Sequence, residues 1–518
     1  MSDTVKSSLR RAIKGSTLVF IGSILSILIW FVTRLIIVRN LTKEEFGVYS
    51  ILIAIGGLVS AVALLGIHEA VPRYISICFG KDDKKRAAFI SGFALKSGLL
   101  SGIIAAFGLI IFSDLISKHI FYKPDIASFL VIISLFVFSS VMANIFIGIL
   151  RGYNIIYPKV LLLDIGQPLV FLVFLLSFVF LKFSLLNIVW AFTGAMILAA
   201  LLIGIYYFRR VHQTVVDADI NTETGRDFIK FAVNLLILNM LGIIMLWGDT
   251  LILGRYEPAE EVGIYNVSMS LAKLLLFPIN AMEFAFLPIA GELYSRNEHK
   301  DLNRTYQVLT KWLFSATFPI FFVLFFFPEM TVSFLFGTNY ADSALSLRIL
   351  SAGFLFSAMM GTTGVLMLVI GKPGMLMKVS AAAAALNIIL NYILIKHFGM
   401  GSAGAAVATI ISYIASNLVV LLLLYRTSRT HPFTIQYIKP IIAAVLVGVV
   451  VYLVAKSLPL YFWMMPFYLT AYISGYFAAL LYTGSFERDD IEIFDAVLKK
   501  TGLELKTLRR VVYNSVRT

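Results

Sequence analysis

Apolar residues along the chain fall in long blocks, neither alternating as in a half-buried strand nor confined to one helical stripe. Fourteen blocks stand out, at roughly 16–38, 46–67, 88–112, 126–150, 159–181, 184–208, 228–253, 262–286, 308–328, 346–370, 375–395, 402–425, 436–455 and 462–483. A block of about 20 such residues is long enough to cross a bilayer as a helix. Most connections are short, and two are longer and polar, 209–227 and 287–307. The pattern predicts an all-α polytopic membrane protein with fourteen transmembrane helices.

Composition sharpens this. Of the 518 residues, 59% are hydrophobic and 14% charged, where a soluble domain carries about 25% charged residues. That excludes a soluble enzyme and a disordered scaffold. The single cysteine, Cys78, excludes a disulfide-stapled module. The net charge of +14 would suggest nucleic acid in a soluble protein. Here the basic residues sit in the connections. With the N-terminus inside, the inner segments hold 31 Lys and Arg and the outer ones 8. Both termini are therefore expected in the cytoplasm, with the lipid bilayer and not nucleic acid as the partner of the charge. The first block follows Lys6, Arg10, Arg11 and Lys14. It is too long for a typical signal-peptide core and is read as a retained helix.

The chain also repeats itself. FVTRLIIVRNLTKEEFGVYS (31–50) lies over WGDTLILGRYEPAEEVGIYN (247–266) at an offset of 216, with seven of twenty positions identical. The shared residues are Leu35/Leu251, Ile36/Ile252, Arg39/Arg255, Glu44/Glu260, Glu45/Glu261, Gly47/Gly263 and Tyr49/Tyr265. Six blocks separate the copies. An even number preserves orientation, so the repeats are parallel, a known transporter plan. The expected organisation is an N-lobe over 1–208 (helices 1–6), a cytoplasmic linker at 209–227, and a C-lobe over 228–425 (helices 7–12). Two extra helices over 426–483 follow, then a cytoplasmic amphipathic tail at 484–518.

LTKEEFGVYS and LLGIHEAVPRYISICFGKDDKKR (64–86) resemble the first helical hairpin and loop of the polysaccharide-transport flippases. FLPIAGELYSRNEHKDLNR (286–304) is similar to the matching segment of their second lobe. The stretch from Leu347 to Ile414 resembles that family most closely. These are Wzx-type O-antigen flippases of the MOP superfamily, which also holds the MATE antiporters and lipid II flippases. The resemblance implies a V-shaped pair of six-helix lobes around a central cavity, plus two helices. It implies movement of a polyprenyl-linked oligosaccharide, on undecaprenyl or dolichyl phosphate or diphosphate, from the inner to the outer leaflet by alternating access. Partner glycosyltransferases or a polymerase of the same pathway would follow.

A lipid-linked phosphate is anionic, so cations within helices are the first candidates for binding it. A charge at a helix centre costs roughly 2.5–3.5 kcal/mol on insertion scales and usually faces a cavity or a partner. Lys273 lies near mid-membrane in helix 8, with no acid at i±3 or i±4. A cavity role and an ion pair with another helix both fit it. Lys96 and Arg34 lie nearer helix ends, where snorkelling competes with a cavity role. Arg39 and Arg255 sit at the outer mouth, either attracting phosphate or anchoring the interface beside Glu44, Glu45, Glu260 and Glu261. Asp164 and Gln167 precede Pro168, so they mark either a cation site or gate, or a simple kink. Glu283 follows Pro278 in helix 8 and is a second coupling candidate. No histidine has metal-site spacing and no phosphate-binding glycine loop is present, so neither metal nor cofactor is expected.

Two other functions compete. A MATE-type exporter of drugs or organic cations, coupled to protons or sodium, should carry deep carboxylates, whereas the deepest charge here is a lysine. A glycosyltransferase or polymerase needs acidic residues in substantial outer loops. The best such loop, 112–125, offers only Asp114 and Asp125.

Overall fold

The computed structural model describes residues 3–179, 183–211, 222–457 and 464–485. Every regular element among them is helical. Among the described residues, thirteen helices are long and apolar enough to cross a membrane, against fourteen expected. The fourteenth block does form a helix, Met465–Tyr482, but is not among the thirteen. It is only 18 residues long and carries Tyr468, Tyr472, Tyr476 and Tyr482, which lower its hydropathy. The amphipathic tail from Glu487 onward and most of the 209–227 linker lie outside the described residues.

The chain divides by packing into two units, Met1–Gly263 and Ile264–Thr518. In the first unit, α1 (Asp3–Asn40) leads to α2 (Lys43–Ala63). Thr42 caps α2: its Oγ1 accepts from Glu45 N at 3.2 Å, and Glu45 Oε2 accepts from Thr42 N at 3.0 Å. This reciprocal box satisfies two end groups and fixes where the helix starts. α2 breaks at Leu65 and Gly66, both at positive φ, before α3 (Ile67–Gly80). Next come α4 (Lys84–Ile111), α5 (Ile126–Gly152), α6 (Gln167–Val179) and α7 (Leu185–Arg210). Small residues bring them together, with Gly98 against Ile145 and Gly204 against Phe146.

The next helix, α8 (Thr222–Tyr256), was expected to open the second lobe, yet it packs on the first unit. Gly57 meets Trp247, Gly254 meets Ile51, and Gly66 lies against the backbone at Ala232. Tyr74 stands edge-on to Phe228 at 5.3 Å. The division by packing thus falls at 263/264. The missing side chains at those glycines let α8 approach α2.

The second unit begins within α9 (Ala259–Ala272), which runs through a 3₁₀ turn, Lys273–Leu276, into α10 (Phe277–Ser295). Next come α11 (His299–Phe326), α12 (Pro328–Phe336), α13 (Ala344–Met360), α14 (Thr363–Val369), α15 (Pro373–Asn391) and α16 (Gly401–Ser428). The last two helices, α17 (Ile435–Ser457) and α18 (Met465–Tyr482), dock on α11. Aromatic faces hold them. Tyr472 stacks on Phe322 at 4.1 Å, Tyr468 on Phe327 at 5.8 Å, and Tyr437 stands edge-on to Phe314 at 5.5 Å. Such pairs add about 0.5–1.5 kcal/mol each beyond area burial. Lys311 and Lys439 donate to the carbonyls of Ser485 and Gly484 just past the end of α18.

Candidate functional site

Lys273 stands where the α9–α10 span loses its regular winding. Pro278 has no N–H, and its ring would clash with the carbonyl of Leu274. The chain answers with the 3₁₀ turn Lys273–Leu276, in which Phe277 N donates to Leu274 O. Lys273 itself is half-buried between fully buried Ala272 and Leu275. Sequence depth placed this lysine near mid-membrane. The helix break at its position was not anticipated, although Pro278 five residues on was the available signal.

The other candidate cations differ in setting. Lys96 is exposed, on the same face of α4 as Leu99, Leu100, Ile103, Ile104 and Phe107. That apolar face suits a snorkelling lysine better than a polar cavity. Arg34 is half-buried beside the Tyr49 phenol, next to fully buried Thr33. Asp249, which the repeat aligns with Thr33, is equally buried. Arg39 is exposed. Arg255 is committed elsewhere: its guanidinium donates to the His119 carbonyl at 3.1 Å and the Tyr122 hydroxyl at 3.0 Å. It also lies 4.1 Å over the Tyr122 ring. These contacts hold the side chain against the connection that precedes α5.

Asp164 lies in a π-helical stretch, Lys159–Gly166, where Gln167 N reaches back to Leu162 O. Pro168 removes the donor that the Asp164 carbonyl would need, which favours this wider winding. The carboxylate takes a 2.9 Å hydrogen bond from Lys159 Nζ. Gln167 is buried. Asp164 is thus ion-paired within its own π-helical stretch. Glu283, half-buried on α10, makes no ion pair among the described residues.

Two lysines were not singled out from the sequence. Lys123 donates to the carbonyls of Gly254 (2.7 Å), Glu257 (2.9 Å) and Phe121 (3.4 Å). It thereby satisfies the carbonyl end of α8. Burial lowers its pKa, with Glu257 and Glu44 opposing the shift. The Glu257 carboxyl is pushed up, mainly by burial and further by Glu261, against the pull of Lys123. Lys311, counted among the cytoplasmic loop cations, is instead only 5% exposed within α11. A run of apolar residues does not reveal which cation at its edge turns inward.

The sequence pattern of a family described as polysaccharide biosynthesis protein matches residues 12–294. The MatE pattern matches residues 231–393. An uncharacterised membrane protein of Methanocaldococcus jannaschii is 22% identical over 425 residues, covering 78% of this chain and 82% of that one. The probable low-salt glycan biosynthesis flippase Agl15 of Haloferax volcanii is 22% identical over 191 residues, 37% of this chain and 40% of its own. Among solved structures, the lipid II flippase MurJ in an inward closed conformation superposes with a TM-score of 0.69 at 16% identity. That match covers 90% of this chain and 98% of the other. An inward-facing MATE multidrug transporter of the MOP superfamily gives 0.67 at 16% identity, over 78% of this chain and 94% of its own. The fold is the one these transporters share.

Proposed function

The chain belongs to the polysaccharide biosynthesis protein family, and from that premise we propose that it is a MOP-superfamily flippase. It moves a polyprenyl-linked oligosaccharide from the inner to the outer leaflet of the cell membrane by alternating access, with both termini cytoplasmic. The match over residues 12–294, more than half of the chain, carries the reading. Likeness to the lipid II flippase fold over 90% of the chain and to the glycan flippase Agl15 supports it.

In this reading Lys273 meets the phosphate of the carrier. A cation in a low-dielectric setting attracts a phosphate more strongly than one in bulk water. The break in regular winding at this lysine is the kind of irregular backbone that discontinuous helices present at transporter binding sites. Arg34, half-buried near the outer end of α1, is the next cation in line, and Lys96, Arg39 and Arg255 contribute less. Glu283 is the remaining acid for coupling. Glycosyltransferases or a polymerase of the same pathway would supply and consume the substrate.

The test is a leaflet assay on reconstituted protein. A fluorescent polyprenyl-diphosphate N-acetylglucosamine should become accessible to an outside quencher faster in proteoliposomes than in empty vesicles. Equal rates would reject the reading for that carrier class. The MatE pattern over 231–393 favours a second reading, a proton- or sodium-coupled exporter of organic cations. Ethidium transport by the same vesicles, with no lipid movement, would select it. A lysine as the deepest charge argues against a cationic cargo by like-charge repulsion.

A further inference from the structure

α17 starts and α18 ends on the side that the Lys and Arg distribution assigns to the cytoplasm. Both ends are pinned to α11. Gln307 Nε2 donates to the His431 carbonyl at 3.2 Å, and Asn303 Oδ1 accepts from His431 N at 3.2 Å. One turn along α11, buried Lys311 donates to the Ser485 carbonyl at 3.1 Å. Lys439, one turn into α17, donates to the Gly484 carbonyl at 3.2 Å. Two ammonium groups thus hold the carbonyl end of α18, where the helix dipole favours cations. The chain leaves this anchor at Ser485, close to the start of α17.

Large apolar side chains stand uncovered at this corner. Tyr482 is 94% exposed and Ile435 84%, more than any other large apolar residue among the described ones. Ile435 is the first residue of α17 and Tyr482 the last of α18, so both stand where hydrocarbon gives way to headgroups and water. Phe433 beside them is exposed too.

Charge at the corner is one-sided. Arg426 and Arg429 are exposed, and neither makes an ion pair among the described residues. From Ser343 to Phe486 the sequence contains no Asp or Glu. Five acids then fall within residues 487–495, against the single base Arg488. The same stretch is amphipathic: Ile491, Phe494, Val497 and Leu498 recur three and four apart, the spacing of one helical face. Helices that lie in the inner membrane surface carry Lys and Arg on their polar face, because that leaflet is anionic. An acidic polar face is repelled there and complements a cationic protein surface instead.

We propose that residues 487–498 form a helical strap docked on this corner of the second unit. Its apolar face covers Phe433, Ile435 and Tyr482, and its acids face Arg426 and Arg429. Only Phe486 separates the strap from the anchor at Ser485, so docking is intramolecular and costs little loop closure. A helix of that length runs about 18 Å, enough to cross two neighbours whose axes lie about 10 Å apart. The strap joins the connection before α17 to the end of α18 and so fixes the last two helices on α11. The inference does not depend on the flippase reading.

The experiment uses the full chain with Cys78→Ser, in opened membranes, and needs no transport activity. Ile435→Cys reports the cover. It should react with a soluble maleimide roughly tenfold more slowly than the same cysteine in a chain that also carries Ile491→Asp and Phe494→Asp. Arg426→Glu with Arg429→Glu should likewise speed the reaction. Equal rates in all three proteins would overturn the docking.

A second measurement decides what the segment touches. Ile435→Cys and Phe494→Cys are treated with a short bifunctional methanethiosulfonate. A link within one chain supports the strap, whereas a link between two chains, or none, overturns it. A fluorophore on Phe494→Cys should emit alike in phosphatidylcholine vesicles with and without phosphatidylserine, and shift when both arginines are reversed. Emission that follows the anionic lipid and ignores the arginines would place the segment on the membrane and reject the strap.

Discussion

Gly47 and Gly263 are packed so closely that a Cβ on Gly47 would lie 3.1 Å from the Gly263 nitrogen, and one on Gly263 would lie 3.3 Å from the Gly47 nitrogen. Alanine at either position must push α2 and α9 apart, because the obstacle is backbone and not a flexible side chain. Overpacking of this kind costs about 1–3 kcal/mol. Gly47→Ala and Gly263→Ala should each lower the melting temperature in detergent. The double variant should lose less than the sum, since both relieve themselves by the same separation. Additive losses would mean that the two glycines do not share one contact.

Lys273→Ala should abolish or sharply reduce flipping while leaving expression and melting nearly unchanged. Lys273→Arg should keep part of the rate. Lys273→Glu should be worse than alanine, because a carboxylate repels the phosphate. Normal transport by Lys273→Ala would remove this lysine from the substrate path.

The Lys159–Asp164 pair predicts a different pattern. Asp164→Asn should destabilise by about 1–3 kcal/mol, the usual worth of a charge-assisted hydrogen bond left half-made. Exchanging the charges, Lys159→Asp with Asp164→Lys, should recover most of that loss and retain flipping. A swapped protein that is stable yet inactive would return Asp164 to the coupling role.

Glu257 gives a pH signature. Burial raises its pKa above the ordinary 4.5, so the folded protein holds the proton more tightly than the unfolded chain does. The penalty for the charged form is full above the raised pKa and fades as pH falls toward 4.5. Glu257→Gln should therefore melt higher than the parent at pH 7, and the gain should shrink in acid. A gain that grows toward acid would reverse the assigned direction.

The orientation can be tested on α4. Cys78 is only 3% exposed, so the native thiol is a poor probe. Lys85, at the exposed start of α4, is a better one. In a Cys78→Ser background, Lys85→Cys should resist an impermeant maleimide in intact cells and react once the membranes are opened. Reaction in sealed cells would invert the topology.

The sequence alone determined the class of molecule. Length and apolarity of a block decide whether it can span a bilayer, since every backbone group must be satisfied within the segment. Both are properties of consecutive residues, so the helices could be read without a fold. The 216-residue repeat was legible for the same reason, as was Lys273, whose depth follows from counting residues along one helix.

What the sequence could not decide were contacts between distant segments. The sites of Gly47 and Gly263 were visible as aligned letters, but their meeting was not. The Lys159–Asp164 bond needed the π-helical winding that Pro168 favours, and that winding turns both side chains to one side. Arg255 was read as a mouth cation, and its loss of freedom comes from His119 and Tyr122, more than 130 residues away. α8 was assigned to the second lobe by counting, while glycines on α2 and α8 bring it onto the first unit. Apolarity places a helix in the membrane without choosing its neighbour. That choice is made by side-chain volume at each crossing, which only the tertiary structure brings together.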